Sequence, residues 1–172
     1  MALAVIVASM AVGPAAGAGQ SPHLAPADAS STSRLTPPRE PGTPLVVSGV
    51  IVAADGVPIP GASIYVYQTD AEGYYGVKPD SDNRRPRLKS FLRSDARGTW
   101  SFETIRPGSY PGSRVPAHIH FEVSATGFVP RIFEIVFEGD PFVTAEMRRN
   151  SGFSVRPIGQ GGRVTERIVL TR

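Results

Sequence analysis

His118 and His120 flank Ile119, and that spacing decides what the pair can do. On a strand, residues i and i+2 face the same way, so both imidazoles leave one face with Cα atoms about 7 Å apart. Ala117, Ile119 and Phe121 take the opposite face, which is apolar and belongs in a core. Two imidazoles so placed can converge on one iron, copper, zinc or nickel ion. Alone, the pair fits two surface or hydrogen-bonded histidines as well. Phenols stand nearby: Tyr110 follows Pro107-Gly108, and Tyr74 and Tyr75 follow Gly73 just past a strand end.

The elements that must hold these groups read as strands. Residues 45–53, 62–67, 89–92, 99–105, 117–124, 131–137 and 163–170 are rich in β-branched, aromatic or alternating residues. Asp55-Gly56, residues 70–73, 95–98 and Pro107-Gly108 turn the chain between them. Residues 78–87 are polar and read as a surface loop. No stretch shows a sustained 3.6 period. Short strands at this spacing predict an all-β fold, an antiparallel β-sandwich over residues 45–172.

Composition narrows the function. Gly 18 and Pro 17 in 172 residues argue against a helical bundle. The absence of Cys excludes disulfides, thiolate metal sites and cysteine nucleophiles. A net charge of +3 with scattered basic residues gives no reason to expect a nucleic-acid partner. No Gly-x-Ser-x-Gly elbow, His-Glu-x-x-His helix or phosphate-binding glycine loop is present. The apolar run 1–12 is too short for a stable membrane span, which needs about 20 residues. With Ala16-Gly17-Ala18 after it, residues 1–18 read as a signal peptide without a basic start, which implies export to the periplasm or outside. Residues 19–44, rich in Ser, Pro, Ala and Gly, read as an unstructured leader in which His23 is a solvated bystander.

Five segments in order carry a resemblance. They are Gly56-x-Pro-Ile-Pro-Gly-Ala62, Gln68-x-Asp-Ala-x-Gly-x-Tyr75, and Ser94-Asp-Ala-x-Gly running through Phe102-x-Thr-Ile-x-Pro-Gly-x-Tyr110. Pro116-Ala-His-Ile-His-Phe121 and Phe137-Glu-Gly-Asp-Pro141 complete the set. Over residues 47–141 the sequence resembles the intradiol ring-cleavage dioxygenases, the protocatechuate/catechol dioxygenase family. The resemblance implies the prealbumin-like sandwich of that family. It also implies a mononuclear non-haem Fe(III) held by Tyr75, Tyr110, His118 and His120, with Tyr75 rather than Tyr74 chosen by the Gly-x-Tyr spacing. The substrates it implies are a small-molecule catechol and O2, and the product a cis,cis-muconate. A free phenol titrates near 10, and a bound cation favours its ionised form, so two phenolates would hold the metal ferric.

In the same resemblance Tyr110 leaves the metal and accepts a substrate proton. Arg114 and Glu134 are the other catalytic candidates. The family often places Arg three residues before the first His, where Val115 stands here, with Arg114 one step earlier; a bulge would return Arg114 to the site. Glu134 stands where the family usually carries Gln, and it is expected to pair with Arg114. Tyr65 and Tyr67 are expected to pack in the core. Residues 47–75 also resemble prealbumin-like accessory modules, which carry no chemistry, and a family member that keeps iron without turnover is the third reading. Oligomeric state is not legible in the sequence.

Overall fold

The alternation around the two histidines is a strand in the computed structural model, which describes residues 23–172. Among those residues there are nine strands and no helix, hence no helix long and apolar enough to cross a membrane. They are β1 (Thr32–Arg34), β2 (Pro44–Ala53), β3 (Ser63–Gln68), β4 (Leu88–Arg93) and β5 (Thr99–Ile105). β6 (His118–Ser124), β7 (Arg131–Phe137), β8 (Phe153–Arg156) and β9 (Arg163–Leu170) follow. One sheet runs β1-β5-β2-β9 and the other β4-β3-β6-β7-β8, so the β-sandwich expected from strand spacing is present. The interior pairings are antiparallel, whereas β1, β8 and β9 add to sheet edges in parallel.

The core lies between the sheets. Ile119, Phe121 and Val123 of β6 are fully buried, while His118, His120 and Glu122 face away from it. Phe121 stacks on Phe133 with centroids 5.0 Å apart and meets Phe102 of the other sheet at 6.0 Å. Each such side chain contributes about 1.5–3 kcal/mol on burial. This packing makes β6 a rigid rail for the two imidazoles, because a slip of one residue would turn Ile119 and Phe121 out to water.

Both open sides of the sandwich are closed. On one, β1 runs beside β4 and the hydroxyls of Ser33 and Ser90 are hydrogen-bonded. On the other, Glu166 of β9 points inward between Val164 and Ile168. Its buried carboxylate accepts hydrogen bonds from Ser154 Oγ at 2.5 Å and from Arg156 Nε at 2.8 Å.

The expected unstructured leader over 19–44 is corrected from His23 onward. β1 pairs with β5, and Ala25 and Leu35 are buried. Arg93 donates to the carbonyls of Ala25 (2.8 Å), Pro26 (2.8 Å) and Gly61 (2.7 Å). Two small apolar anchors and carbonyls capped by one guanidinium hold a segment whose composition alone suggests disorder. His23 is no bystander either: its N–H and Nδ1 lie 2.8 and 3.0 Å from the Glu122 carboxylate, and its ring lies 4.6 Å from that of Tyr65. The signal peptide read over 1–18 lies outside the described residues.

Candidate metal centre

Two loops and one strand converge on the outer face of the five-stranded sheet. The first loop leaves β3 at Gln68, which is fully buried. Its amide donates to the carbonyls of Ile105 (2.9 Å) and Thr69 (3.1 Å), and its oxygen accepts from Thr104 Oγ1 at 2.9 Å. Asp70 then caps the turn: its Oδ1 accepts the backbone N–H of Glu72 (2.9 Å) and Tyr74 (3.0 Å). Gly73 follows with φ +91°, and the turn delivers Tyr75 inward. The second loop, carrying Tyr110, is stitched to the first. Gly108 N–H donates to the Asp70 carbonyl (2.8 Å), and Thr69 Oγ1 donates to the Gly108 carbonyl (2.8 Å). The loops touch so closely that a Cβ at Gly73 would lie 2.0 Å from Ser109 O, and one at Gly108 would lie 2.5 Å from Ala71 O. Asp140, just past β7, accepts the N–H of Ala117 at 3.1 Å and so fixes the start of β6.

The four residues expected to ligate a metal meet at one point. Tyr75 Oη lies 2.5 Å from Tyr110 Oη and 2.7 Å from His120 Nε2. Tyr110 Oη lies 2.9 Å from His118 Nε2, and the two Nε2 atoms are 3.0 Å apart. The contacts form a closed ring of four donor atoms. Tyr75 is only 2% exposed, whereas Tyr74 is half-buried with Lys78 over its ring at 5.6 Å. The Gly-x-Tyr spacing therefore picks the Tyr that points into this cluster.

Counting hydrogens tests whether the cluster suits a cation. His118 Nδ1 lies 2.8 Å from the Pro116 carbonyl, which only accepts, so Nδ1 carries the proton and Nε2 presents a lone pair. Two hydroxyl protons remain for the four contacts, or three if His120 is protonated on Nε2. At least one contact therefore sets lone pair against lone pair with no hydrogen between. A metal bonded at about 2.0–2.2 Å to each atom removes that conflict and brings neighbouring ligands about 3 Å apart. The residues fit a metal.

Electrostatics point the same way. Burial, then the hydrogen bond and charge of Tyr110, push the Tyr75 phenol far above its usual value. Burial raises Tyr110 too, partly offset by its bond from Tyr75. Burial and the neighbouring His118 push His120 down to about 3. Burial raises the Glu134 carboxyl, which His118 partly offsets. Burial thus favours the neutral forms of the two phenols and of His120; a metal reverses this for the phenols by favouring phenolate.

Two expectations are corrected. The Arg114–Glu134 pair is absent among the described residues: Arg114 is exposed, and Glu134 Oε1 lies 3.3 Å from His120 Nδ1. The β6–β7 register sets His120 opposite Glu134, so the carboxylate's partner is on the next strand and not in the 111–116 turn. Tyr65 and Tyr67 lie on the outer face with the site instead of in the core between the sheets, because Ile64 and Val66 take that side. Tyr67 stacks on the His120 ring at 4.3 Å and 10°.

Sequence reading missed the supports of Tyr75. Asp70 was legible as a turn residue, but not as the group that caps Tyr74 N–H. Arg87 donates its backbone N–H to Tyr75 O at 2.7 Å. Its guanidinium holds Glu40 through two 2.7 Å bonds, with Asp70 3.6 Å away. The Glu40 side chain is only 8% exposed. Glu40→Ala is expected to cost about 1.5–3 kcal/mol, the worth of charged hydrogen bonds, in urea unfolding of the metal-free protein. Lys89→Ala, on the neighbouring strand, should change it by less than about 0.5 kcal/mol.

A cleft of about 410 Å³ opens beside the phenols, lined by Tyr74, Tyr75, Ser81, Asn83, Tyr110 and Pro111. A family model described as Dioxygenase matches residues 18–157, most of the chain. The chain belongs to the intradiol dioxygenase family. Catechol 1,2-dioxygenase 2 of Acinetobacter lwoffii is 32% identical over 130 residues, 64% of this chain and 46% of the relative. The protocatechuate 3,4-dioxygenase beta chain of Burkholderia cepacia is 33% identical over 132 residues, 70% and 56% of the two chains. The chain thus spans roughly half the length of these curated relatives. The dioxygenase domain of a dioxygenase carbohydrate-binding protein fusion from Streptomyces sp. SirexAA-E superposes with a TM-score of 0.63. It is 25% identical, covering 80% of this chain and 86% of that one.

Proposed function

We propose that this intradiol dioxygenase holds ferric iron through Tyr75, Tyr110, His118 and His120 and cleaves a catechol between its two hydroxyl-bearing carbons. O2 supplies two oxygen atoms, both retained in a cis,cis-muconate. The observation that carries the reading is the closed ring of four donor atoms with too few hydrogens to fill it. When bound, the metal would be chelated by the catechol oxygens and would make the ring nucleophilic toward O2.

The chain's own residues divide the remaining work. Tyr110 is the less enclosed phenol and sits on a turn, so it is the ligand free to swing out and take a catechol proton at Oη. Tyr75, stitched between two loops, stays. Tyr74 and Pro111 offer apolar walls to an aromatic ring, and Ser81 and Asn83 offer neutral hydrogen-bonding groups. Among the described residues no charged side chain lines this cleft. A second reading, metal binding without turnover, draws on Arg114, which is exposed and does not line the cleft.

Oxygen uptake by the ferric-loaded protein tests the reading. Catechol is expected to be consumed with a kcat/KM at least ten-fold above that of protocatechuate, whose carboxylate meets no cation in the cleft. A preference for protocatechuate overturns the cleft assignment. A coloured ferric protein that consumes no O2 with either substrate supports the second reading.

A further inference from the structure

The two histidines differ in what stands behind them. His118 gives its Nδ1 proton to a neutral backbone carbonyl, that of Pro116. His120 has a carboxylate there: Glu134 Oε1 lies 3.3 Å from Nδ1. The opposite ring nitrogen, Nε2, faces Tyr75 Oη at 2.7 Å and His118 Nε2 at 3.0 Å. The two nitrogens of an imidazole point away from each other, so one side chain cannot reach the donor cluster through the far nitrogen of another. His118, His120 and Glu134 do present potential ligand atoms within 4.8 Å of one another. Even so, Glu134 stands behind the ring, not at the centre.

This placement is built into the sheet. His120 is paired across the strands with Tyr67 on one side and Glu134 on the other. Such partners have Cβ atoms about 5 Å apart. Tyr67 stacks flat on the imidazole at 4.3 Å and 10° and fixes the plane of the ring. The rotation that directs Nε2 at Tyr75 (2.7 Å) also sets Nδ1 3.3 Å from the carboxylate. Glu134 makes no other ion pair among the described residues.

We propose that Glu134 is a positioning residue for His120: it binds the Nδ1 proton, commits Nε2 to the metal, and places negative charge behind the ring. The imidazole becomes a stronger donor than His118. The site is thus electronically lopsided, with the richer nitrogen adjacent to Tyr75. This inference rests on the metal-centre reading above.

The test is ferric titration of the metal-free protein, followed by the visible tyrosinate-to-iron absorption, in wild type, Glu134→Gln and Glu134→Ala. Removing an outer partner of a ligating histidine typically costs about 10–100-fold in metal affinity. Glu134→Ala is expected to lose that much, and Glu134→Gln less, because its amide oxygen still accepts the Nδ1 proton. In Glu134→Gln the band should move to longer wavelength, since a poorer imidazole donor leaves the iron more electron-deficient. That shift separates the role from mere support of the fold. A wild type that develops no tyrosinate band overturns the metal centre and this inference together. A wild-type band that both variants reproduce in affinity and wavelength overturns the role of Glu134 and leaves the metal centre standing.

Discussion

Tyr75→Phe is expected to lose ferric iron at least 100-fold in affinity and to lose ring cleavage with it. An outer partner of a ligand is worth about 10–100-fold, and a direct anionic ligand is worth more. The fold should survive, because Phe keeps the ring in its buried slot and only Oη goes. Metal-free and metal-loaded proteins should respond with opposite signs. Without metal, Oη is one of four crowded donor atoms short of hydrogens, so its removal should leave the melting temperature unchanged or raised. With metal, wild type gains stability from binding and the variant forfeits it. Tyr110→Phe should keep more iron than Tyr75→Phe, since its loop position is the less enclosed, yet lose turnover by about 10²–10³-fold for want of the proton acceptor. Differential scanning calorimetry with and without ferric iron checks the first, and oxygen uptake the second. A metal-loaded Tyr75→Phe as stable as loaded wild type would remove Tyr75 from the ligand set.

Gly73→Ala is expected to abolish the site and cost more than about 4 kcal/mol of stability. Two penalties act at once. At φ +91° any side chain strains the backbone, and the new Cβ meets Ser109 O at 2.0 Å. The obstacle is a carbonyl in the neighbouring loop, not the end of a flexible side chain, so the two tyrosine loops must part. Parting them breaks the Gly108–Asp70 and Thr69–Gly108 bonds and pulls the phenols away from each other. Gly112→Ala is the control. It has φ +71° with nothing within 4 Å of the added Cβ, so it carries strain alone, about 1–2 kcal/mol. Urea unfolding and ferric titration of both variants separate the terms. A Gly73→Ala protein that binds iron normally would mean the loops move independently.

What could be read from the sequence was what depends on neighbours along the chain. The alternation of residues 117–123 places His118 and His120 on one face and Ile119 and Phe121 in the core, as β6 does. The choice of Tyr75 over Tyr74 rested on its spacing from a glycine whose φ shapes the turn. What could not be read depends on register between strands or on edge pairing. Nothing in residues 32–34 or 153–156 announces β1 or β8, because a parallel edge strand of three or four residues needs no period of its own. Glu134 is a site candidate through the family resemblance, but its partner depends on the β6–β7 register, which sets it opposite His120 and not beside Arg114. Tyr67 likewise stacks on a residue more than fifty positions away.

The edge position of β9 bears on how the molecule is made. β2 is paired with β9 from Val46–Arg163 to Ala53–Leu170, so the first sheet is completed only by the last strand of the chain. The antiparallel strands that carry the histidines and their cross-strand neighbours, β3, β6 and β7, lie between residues 63 and 137, so all three precede β9 in the chain. On a ribosome the sheet that bears the two histidines can therefore form while β2 still shows an open, Val-rich edge. Long-range parallel pairing closes slowly and leaves such edges exposed to other chains. The vulnerable species in biosynthesis is a chain whose histidine-bearing face is already assembled and whose opposite sheet still awaits β9.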